Sequence, residues 1–440
     1  MEIGTDLKDF HLFSKPDRDG HQTAKDVFDS KIVSYLIEHF DMMIYNNVLY
    51  IYKNGYYIKD KDGRKAKALI KALMYDEFKT SIRINRVYNL LMCENSIVVE
   101  EEDLNVFPRH WINFKNGMLD VLTEELHEHD PVYKAINQIP HNYVKQEENK
   151  KLMFCQFIES RIPDAEDRQM FYEFFAYCLT IDVSFQKMLY LLGTGGCGKS
   201  LMLEYVNHIV GYENISHLSP QKLGQRFQSV YLMNKLLNSV SDISSKSLKN
   251  TDLIKQLTGD DAIPAEYKGG DSFSFYNTAK MLFSANKMPM VEDEDSNGYY
   301  RRLMILTIKG DKYFPNLVKL IHEQDESFIY FLIQHLKNAY KRGCLFESRA
   351  SKGKVAGIRY DSDTVQAFID DCLVEAPGKR PKRIEVFDYY ERYCSAEKLD
   401  SLGRNDFYAS MEAKGIGRVK CSGYECFKDV AISNGIVYLG

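Results

Sequence analysis

The stretch GTGGCGKS, Gly193 to Ser200, has the residue types and spacing of a phosphate-binding loop. It lies between a short apolar run, MLYLL, and a stretch with helical apolar spacing, LMLEYVNHIV. Glycines let backbone N–H groups turn toward a phosphate, a lysine can contact the β- and γ-phosphates, and a hydroxyl can coordinate Mg²⁺. The sequence therefore predicts an ATP and Mg²⁺ site made by Gly193, Thr194, Gly195, Gly196, Cys197, Gly198, Lys199 and Ser200.

Two polar residues further along the chain are candidates for the hydrolytic chemistry, which needs a metal-side acid and a group that positions water. KLLNSVSDIS predicts a strand that ends in Asp242, the candidate second metal ligand beside Ser200. AKMLFSANKMP predicts a buried strand followed by Asn286, which can polarise the attacking water. The alternative interpretation of each is an ordinary turn residue.

A pair of arginines, Arg301 and Arg302, stands immediately before the apolar run LMILTI. Arginines at the start of a strand are usually surface charge. An arginine that acts on the nucleotide of a neighbouring subunit must also project from such an edge, because it has to reach across an interface. Both interpretations stay open on the residues alone.

The segment EYKGGDSF, Glu266 to Phe273, predicts a β-hairpin with Lys268 at its tip and Tyr267 beside it. A lysine on a turn is most often simply solvated. The hairpin alone therefore favours a solvated tip over a ligand contact.

The composition describes a soluble protein of several domains. The chain has 440 residues, of which 45% are hydrophobic and 27% charged, and its net charge is −5. It has no apolar run long enough for a bilayer and no secretory leader, which predicts a cytoplasmic protein without a membrane partner. Its nine scattered cysteines predict reduced thiols, and Cys421 and Cys426 lack a second pair of zinc ligands.

The order of helical and alternating patterns predicts an α/β core with an α+β module before it and a helical module after it. The polar segment ESRASKGKVAGIR predicts a linker, and three helices followed by a hairpin predict a C-terminal winged helix. The predicted units are an N-terminal α+β domain at 1–148, a helical collar at 149–187, the ATPase domain at 188–345, the linker at 346–360 and the winged helix at 361–440.

Several stretches in this order resemble the superfamily 3 helicases: FYEFFAYCLTIDVSFQKMLYLLGTGGCGKS, LIKQLTGDDAIPAEYKGGDSF, MLFSANKMP and GYYRRLMIL. Together with INFKNGMLDVLTEELHEHDP, they make nearly the whole chain similar to the helicase part of phage, plasmid and poxvirus-type primase-helicases. Within that family, the chain resembles replication initiators of phage-related genomic islands, such as staphylococcal pathogenicity islands. No run of primase metal carboxylates is recognisable in the first 140 residues.

The resemblance implies a homohexameric ring of AAA+-like P-loop domains in a bacterial host cell, with ATP at subunit interfaces and DNA in the channel. It implies that Lys199 and Ser200 belong to motif A, Asp242 to motif B and Asn286 to motif C. It further implies that Arg302 is the arginine finger, with Arg301 as a helper, and that Lys268 and Tyr267 contact DNA. Motif B often has two acids, and here Asp242 stands alone after Ser241.

The predicted winged helix carries basic residues suited to an origin sequence: Arg404 on the candidate recognition helix, Arg418 and Lys420 on the candidate wing, and KRPKR at 379–383. A winged helix that mediates protein contacts is the alternative. For the whole chain, the rival functions are an ATP-switched origin-binding protein with little unwinding activity and a monomeric P-loop kinase. ATP turnover stimulated by DNA distinguishes the helicase from both.

Overall fold

The computed structural model of the protein describes residues 6–146, 152–244, 248, 251–269, 271–289, 291, 297–310, 314–397, 399 and 401–433. The predicted boundary between residues 148 and 149 lies outside these ranges, as does Gly270 in the predicted hairpin tip. No helix among the described residues is long and apolar enough to cross a membrane.

The N-terminal module combines three helices with three small antiparallel sheets. One hairpin of this module turns at Asn54-Gly55, where both residues have positive φ angles. The helices are α1 Asp29–His39, α2 Arg64–Ala72 and α3 Ser81–Leu91. The strands are β1 His11–Phe13, β2 Ala24–Val27, β3 Met42–Tyr45, β4 Val48–Lys53, β5 Tyr56–Lys59, β6 Trp111–Phe114, β7 Gly117–Asp120 and β8 Glu125–His127.

The central unit is a five-stranded parallel sheet with helices and a hairpin around it. Its helices are α4 Met153–Arg161, α5 Ala165–Tyr177, α6 Lys199–Val210, α7 Pro220–Leu223, α8 Asp252–Leu257, α9 Asn297–Tyr300, α10 Leu317–His322, α11 Asp325–Arg342 and α12 Arg349–Ser362. Its strands are β9 Met188–Leu192, β10 Ile215–Ser216, β11 Leu237–Val240, β12 Ala262–Glu266, β13 Ser272–Tyr276, β14 Lys280–Ala285 and β15 Leu303–Thr307. The predicted α/β core and α+β N-terminal module are thereby confirmed.

The parallel strands lie in the order β10, β11, β14, β9, β15. Alternate side chains of β9 enter two different cores: Leu189 and Leu191 pack on the side of α5, α6 and α11, whereas Met188 and Tyr190 pack on the side of β12 and β13. A sheet covered on both faces explains why β9 is apolar throughout.

The segment predicted as a linker at 346–360 is largely helical, since α12 covers most of it. The Ser348 hydroxyl accepts a hydrogen bond from the Ser351 N–H at 3.0 Å, and the Ser351 hydroxyl accepts one from the Ile305 N–H at 2.9 Å. Val355 and Ile358 pack against the core. Tertiary contacts with β15 therefore produce a helix where the composition, rich in glycine and small polar residues, predicts none.

The C-terminal module has the three helices and the hairpin that the sequence predicts. Its elements are α13 Thr364–Cys372, β16 Leu373–Glu375, α14 Arg383–Glu397, α15 Arg404–Ala413, β17 Arg418–Cys421, β18 Tyr424–Phe427 and β19 Val430–Ile432. The turn between β17 and β18 is at Ser422-Gly423, where both φ angles are positive. Phe368, Phe387, Tyr390 and Phe407 fill a core of its own.

A buried lysine, Lys280, begins β14 at the amino end of the sheet. Its ammonium group donates to the carbonyl oxygen of Thr180 and, at 2.9 Å, to that of Thr278. It also lies 5.2 Å from the centre of the Tyr177 ring. Burial lowers the pKa of Lys280 to about 8, because the charged form is poorly solvated there.

This shift predicts a specific dependence of stability on pH. The free-energy penalty of the charged Lys280 is present below its folded pKa of about 8 and is relieved as the pH rises, while the unfolded chain stays protonated to about pH 10.5. Between about pH 7.5 and 9.5 this group adds about 2 kcal/mol to the free energy of unfolding. We expect the melting temperature of the wild type to rise by about 4 °C relative to that of Lys280→Met over this range. Parallel curves for the two proteins would contradict the assignment.

Candidate active site

The pairing of three parallel strands determines the position of the predicted phosphate loop. β9 pairs in register with β14, from Met188 opposite Met281 to Leu192 opposite Ala285, and with β15 on its other side. The next residues along the first two strands are Gly193 and Asn286, and the Gly193 N–H donates to the Ala285 carbonyl at 3.2 Å. The loop and Asn286 therefore lie side by side at the carboxyl edge of the sheet.

Glycine is required at two positions of the loop for different reasons. A Cβ atom at Gly193 would lie 2.6 Å from the Ile308 carbonyl oxygen and 2.7 Å from Cys197 Sγ, so the backbone immediately after β15 excludes any side chain there. Gly198 has φ +99°, a conformation that other residues rarely adopt. The chain then enters α6 at Lys199, so the N-terminus of a twelve-residue helix opens onto the loop.

The amino group of Lys199 occupies the inside of the loop, and only 5% of this residue is exposed. It donates to the carbonyl oxygens of Gly193 at 2.5 Å and Thr194 at 3.0 Å, and to Asn286 Oδ1 at 3.3 Å. Two residues predicted from separate motifs are thus in direct contact. All three acceptors are groups that phosphate oxygens can replace.

The candidate metal ligands, Ser200 and Asp242, are both exposed. The sequence predicts a strand that ends in Asp242. In the structure β11 ends at Val240, so Asp242 lies two residues beyond the strand. It has a φ of +50°, and its N–H donates to Ser284 Oγ at 3.2 Å. Within β11, the buried Asn238 side chain exchanges two hydrogen bonds of 2.8 Å with the Leu218 backbone.

The two arginines differ sharply in their surroundings. Arg302 is 6% exposed, and its guanidinium donates to the Gly298 carbonyl at 2.6 Å. Burial, together with the neighbouring Arg301, lowers the pKa of Arg302. Arg301 is exposed, donates to Gln186 Oε1 at 3.0 Å and lines an open cleft of about 740 Å³ with Lys187. In a single subunit, Arg301 is thus the more accessible of the two.

One cationic residue beside the loop was missed from the sequence. Arg161 ends α4 and is 5% exposed, and a Cβ atom placed on Gly198 would lie 3.2 Å from its Nε atom. Its carbonyl accepts a hydrogen bond from the Lys309 N–H at 3.0 Å. The helical spacing of α4 signals only an apolar face, and no local motif marks its last residue as a neighbour of the phosphate loop.

The predicted hairpin is formed by β12 and β13, which pair in register from Ala262 opposite Tyr276 to Glu266 opposite Ser272. Tyr267 and Lys268 are exposed in the turn, and the Tyr267 ring stacks on Phe273 with centres 5.5 Å apart. At the other end, the Tyr276 N–H donates to Glu101 Oε1 at 3.2 Å. The base of the hairpin is thereby joined to the N-terminal module.

A cleft of about 720 Å³ separates the hairpin tip from the N-terminal module. Tyr50, Tyr57 and Lys235 line it together with Tyr267 and Lys268. Burial raises the pKa of Tyr50 and that of Tyr57 to about 12, so both phenols are neutral at physiological pH. Tyr50 and Tyr57 are themselves buried, and Tyr267 is the exposed ring of these three. An exposed ring beside a lysine suits a single-stranded nucleic acid, whose bases stack and whose phosphates need cations.

The basic residues of the C-terminal module divide into two groups. Arg404, Arg418 and Lys420 are exposed, and the last two share one face of β17. Within KRPKR, by contrast, Arg383 lies over the Tyr408 ring at 4.0 Å and pairs with Glu412, and Lys382 pairs with Glu385 at 3.0 Å. The second half of this segment therefore serves the module's own packing.

Comparison with known proteins gives two partial family matches. "Family of unknown function (DUF5906)" covers residues 191–302, and "D5 N terminal like" covers residues 31–167. A protein of Acanthamoeba polyphaga mimivirus named "Putative helicase L207/L206" is 22% identical over 371 residues, 75% of this chain. The chain spans 38% of the length of that relative.

Solved structures show the same fold along most of the chain. The A form apo structure of the NrS-1 C-terminal region has a TM-score of 0.52 at 12% identity and covers 92% of this chain and 99% of its own. A second apo structure of that region, residues 305–718, has a TM-score of 0.51 at 12% identity, with 90% and 97% covered. The chain is therefore related to a viral protein named as a helicase, and its residues 31–167 match the family described as D5 N terminal like. These matches confirm the coarse part of the predicted relationship.

The geometry of the loop predicts unequal effects of two alanine substitutions. Gly193→Ala places a methyl group against the Ile308 carbonyl and should lower the free energy of unfolding by about 1–3 kcal/mol and weaken ATP binding. Gly195→Ala is the matched control, because a Cβ atom there meets nothing within 4 Å. Melting temperature and binding of a fluorescent ATP analogue measure both effects. Equal behaviour of the two variants would contradict the described packing of the loop.

Proposed function

We propose that this protein is an ATP-dependent DNA helicase of the superfamily 3 type that initiates replication of a phage or mobile element in a bacterial cell. The observation that carries the proposal is the position of the Lys199 amino group, inside a glycine loop and hydrogen-bonded to Asn286. The relationship to a viral protein named as a helicase supports it. The hairpin that projects Lys268 supplies the candidate DNA contact.

ATP binding follows from the loop's own groups. The N–H groups at the start of α6 and in the loop face the phosphates, and the Lys199 amino group exchanges its carbonyl partners for phosphate oxygens. Asn286 is then released to hold the attacking water near the γ-phosphate. Arg161, beside Gly198, adds positive charge at the same end of α6.

Ser200 and Asp242 fit a magnesium ion, because an exposed hydroxyl and an exposed carboxylate are the hard oxygen donors that Mg²⁺ prefers. When bound, Mg²⁺ neutralises charge on the β- and γ-phosphates. Asp242 is tethered by its own N–H to Ser284 on β14, which fixes its distance from the loop across the sheet.

A homohexamer supplies the cation that completes the site. Arg301 is exposed and therefore free to meet a neighbouring subunit, whereas Arg302 must leave its contact with the Gly298 carbonyl to act as a finger. This difference supports a division of labour in which Arg302 orients the segment and Arg301 reaches the neighbour's phosphates. The resemblance had suggested the opposite emphasis.

DNA in the ring channel would be held by Lys268 and Tyr267, by charge and by stacking respectively. Both residues are exposed, and the stacked Tyr267–Phe273 pair stiffens the tip. An origin sequence would be read by the C-terminal module as a winged helix, with Arg404 on α15 and Arg418 and Lys420 on β17.

One observation favours a second candidate function, an ATP-switched origin-binding protein with little unwinding activity. Asp242 is a single carboxylate, exposed and two residues beyond its strand. A lone acid that cannot serve both metal and water would slow turnover, and binding would then act mainly on assembly. The two functions differ in whether DNA stimulates ATP hydrolysis and in whether a forked duplex is separated.

The helicase function predicts that Lys268→Ala lowers strand displacement on forked DNA by at least about tenfold, because the phosphate contact at the hairpin tip is lost. Basal ATP hydrolysis should change by less than about twofold, since the tip lies outside the phosphate loop. Lys199→Ala should abolish both activities. Lys65→Ala removes another exposed lysine, in the N-terminal module, and should leave both activities unchanged.

Normal unwinding by Lys268→Ala would exclude the hairpin as the DNA contact. ATP turnover that ignores DNA in the wild type would instead favour the switch. Light scattering of the assembly, with and without ATP, tests the hexamer in the same samples.

Origin reading predicts that the double variant Arg418→Glu and Lys420→Glu loses sequence-selective binding to origin DNA in a shift assay at moderate salt. Reversal of two exposed charges on one strand face should cost at least about tenfold in affinity. The control is Lys65→Glu, which changes the net charge of the N-terminal module alone. Retained selectivity in the double variant would favour a protein-contact role for the C-terminal module.

A further inference from the structure

Three histidines and an aspartate meet at the far end of α6, away from the phosphate loop. His141 follows the N-terminal sheets, His208 lies in the last turn of α6, and His322 and Asp325 lie at the end of α10 and the start of α11. Donor atoms of His141, His208 and Asp325 all lie within 4.8 Å of one another. Segments far apart in the sequence thus bring nitrogen and oxygen ligands to one point.

The distances within this cluster suit a shared cation. Asp325 Oδ2 lies 2.5 Å from His208 Nε2, and 3.8 Å from the Nδ1 atoms of both His141 and His322. His322 Nδ1 and His208 Nε2 lie 2.9 Å apart. Ligands of a tetrahedral zinc ion with bonds of about 2.0–2.1 Å are separated by roughly 3.3 Å. His141, His208 and Asp325 therefore need only small side-chain movements, whereas His322, which lies outside the group of donor atoms within 4.8 Å of one another, has to move further to become the fourth ligand.

The cluster has fewer N–H protons than hydrogen-bond acceptors among its ring nitrogens and carboxylate oxygens. His141 Nε2 lies 3.2 Å from the His208 carbonyl oxygen and donates its proton there. The His141 Nδ1 atom then carries no proton, and its lone pair faces the Asp325 carboxylate. His208 Nε2 has one proton to share between Asp325 Oδ2 and His322 Nδ1. A cation at the centre would satisfy every one of these lone pairs.

Hydrogen bonds with neighbouring groups hold the His141 ring and the Asp325 carboxylate in place, as is usual for metal ligands. The backbone carbonyl that receives the His141 proton fixes the ring's orientation, as an outer partner of a metal-bound histidine usually does. The Tyr205 hydroxyl donates to Asp325 Oδ1 at 3.0 Å, which leaves Oδ2 for the ion. The side chains of His141 and Asp325 are only 12% and 13% exposed, so little water competes.

We propose that His141, His208, His322 and Asp325 bind a structural zinc ion. Three imidazoles and one carboxylate favour Zn²⁺ over Mg²⁺ or Ca²⁺, which prefer oxygen ligands alone. The ion would join the N-terminal module, through His141, to the helix that begins at Lys199 and to α11. Nine residues of α6 separate Lys199 from His208, about 14 Å along the helix, so the ion braces this helix and takes no part in the chemistry at its other end.

The first test measures metal in the whole protein purified with a tag that contains no histidine. We expect about one zinc ion per chain by mass spectrometry of the metal, and loss of that zinc from His208→Gln and from Asp325→Asn. Asp325→Asn keeps an acceptor for the Tyr205 hydroxyl, so it tests the ligand with little damage to packing. His39→Asn is the control, because His39 contacts only Tyr35 on its own helix among the described contacts.

The second test separates metal binding from a metal-free hydrogen-bond network. Zinc added to chelator-stripped wild type should raise the melting temperature by at least about 3 °C, and the same addition should not move Asp325→Asn or His208→Gln. His39→Asn should respond as the wild type does. Absence of retained zinc together with no thermal response in the wild type would overturn the proposal, and so would an equal response in the ligand variants. No nucleotide or DNA is present, so the result is independent of the proposed helicase activity.

Discussion

The register of β9 between β14 and β15 is the constraint on which the candidate site depends. Five paired residues on each side end together, so that Gly193, Asn286 and Ile308 follow their strands at the same level. A slip of two residues would preserve the apolar faces but move Asn286 by about 6.6 Å, out of reach of the Lys199 amino group. The Ile308 carbonyl, which excludes a side chain at Gly193, would also move. The register of these strands thus explains both why residue 193 is glycine and why Asn286 lies beside Lys199.

The buried Lys199 amino group also explains how the loop keeps its shape without a phosphate. A buried charge needs partners, and two carbonyl oxygens of the loop together with Asn286 provide them. These three hydrogen bonds hold the loop around the amino group. In the proposed ATP complex, phosphate oxygens would take the place of these acceptors, so the buried amino group would keep hydrogen-bond partners.

The features that the sequence predicted well are those with local causes. The apolar run of β9 and the glycine loop that follows it are set by residue type and spacing. The features that it missed depend on residues distant in the chain. The hydrogen bonds of Ser348 and Ser351 stabilise the helix α12 in a segment whose composition predicts a linker. The contact of Arg161 with Gly198 arises because α4 lies across the loop.

The candidate site shows the same division. Asn286 could be predicted because the end of β14 is marked by a change from apolar to polar residues followed by a proline. The contrast between the exposed Arg301 and the buried Arg302 could not be predicted. Two adjacent arginines before a strand look alike in the sequence, and their burial depends on which distant residues pack on each of them. The histidine cluster was equally hidden, because its four members come from three segments that share no motif.

The contact of Glu101 with the base of the hairpin bears on how force would pass through the molecule. One carboxylate oxygen accepts the Tyr276 N–H at the end of β13, and the other accepts the Tyr45 hydroxyl on β3. The hairpin therefore cannot move independently of the N-terminal module unless these hydrogen bonds of Glu101 break. If force acts at the hairpin tip, as the proposed function requires, part of it would pass into the N-terminal module through the Glu101 side chain, 175 residues before Tyr276 in the sequence.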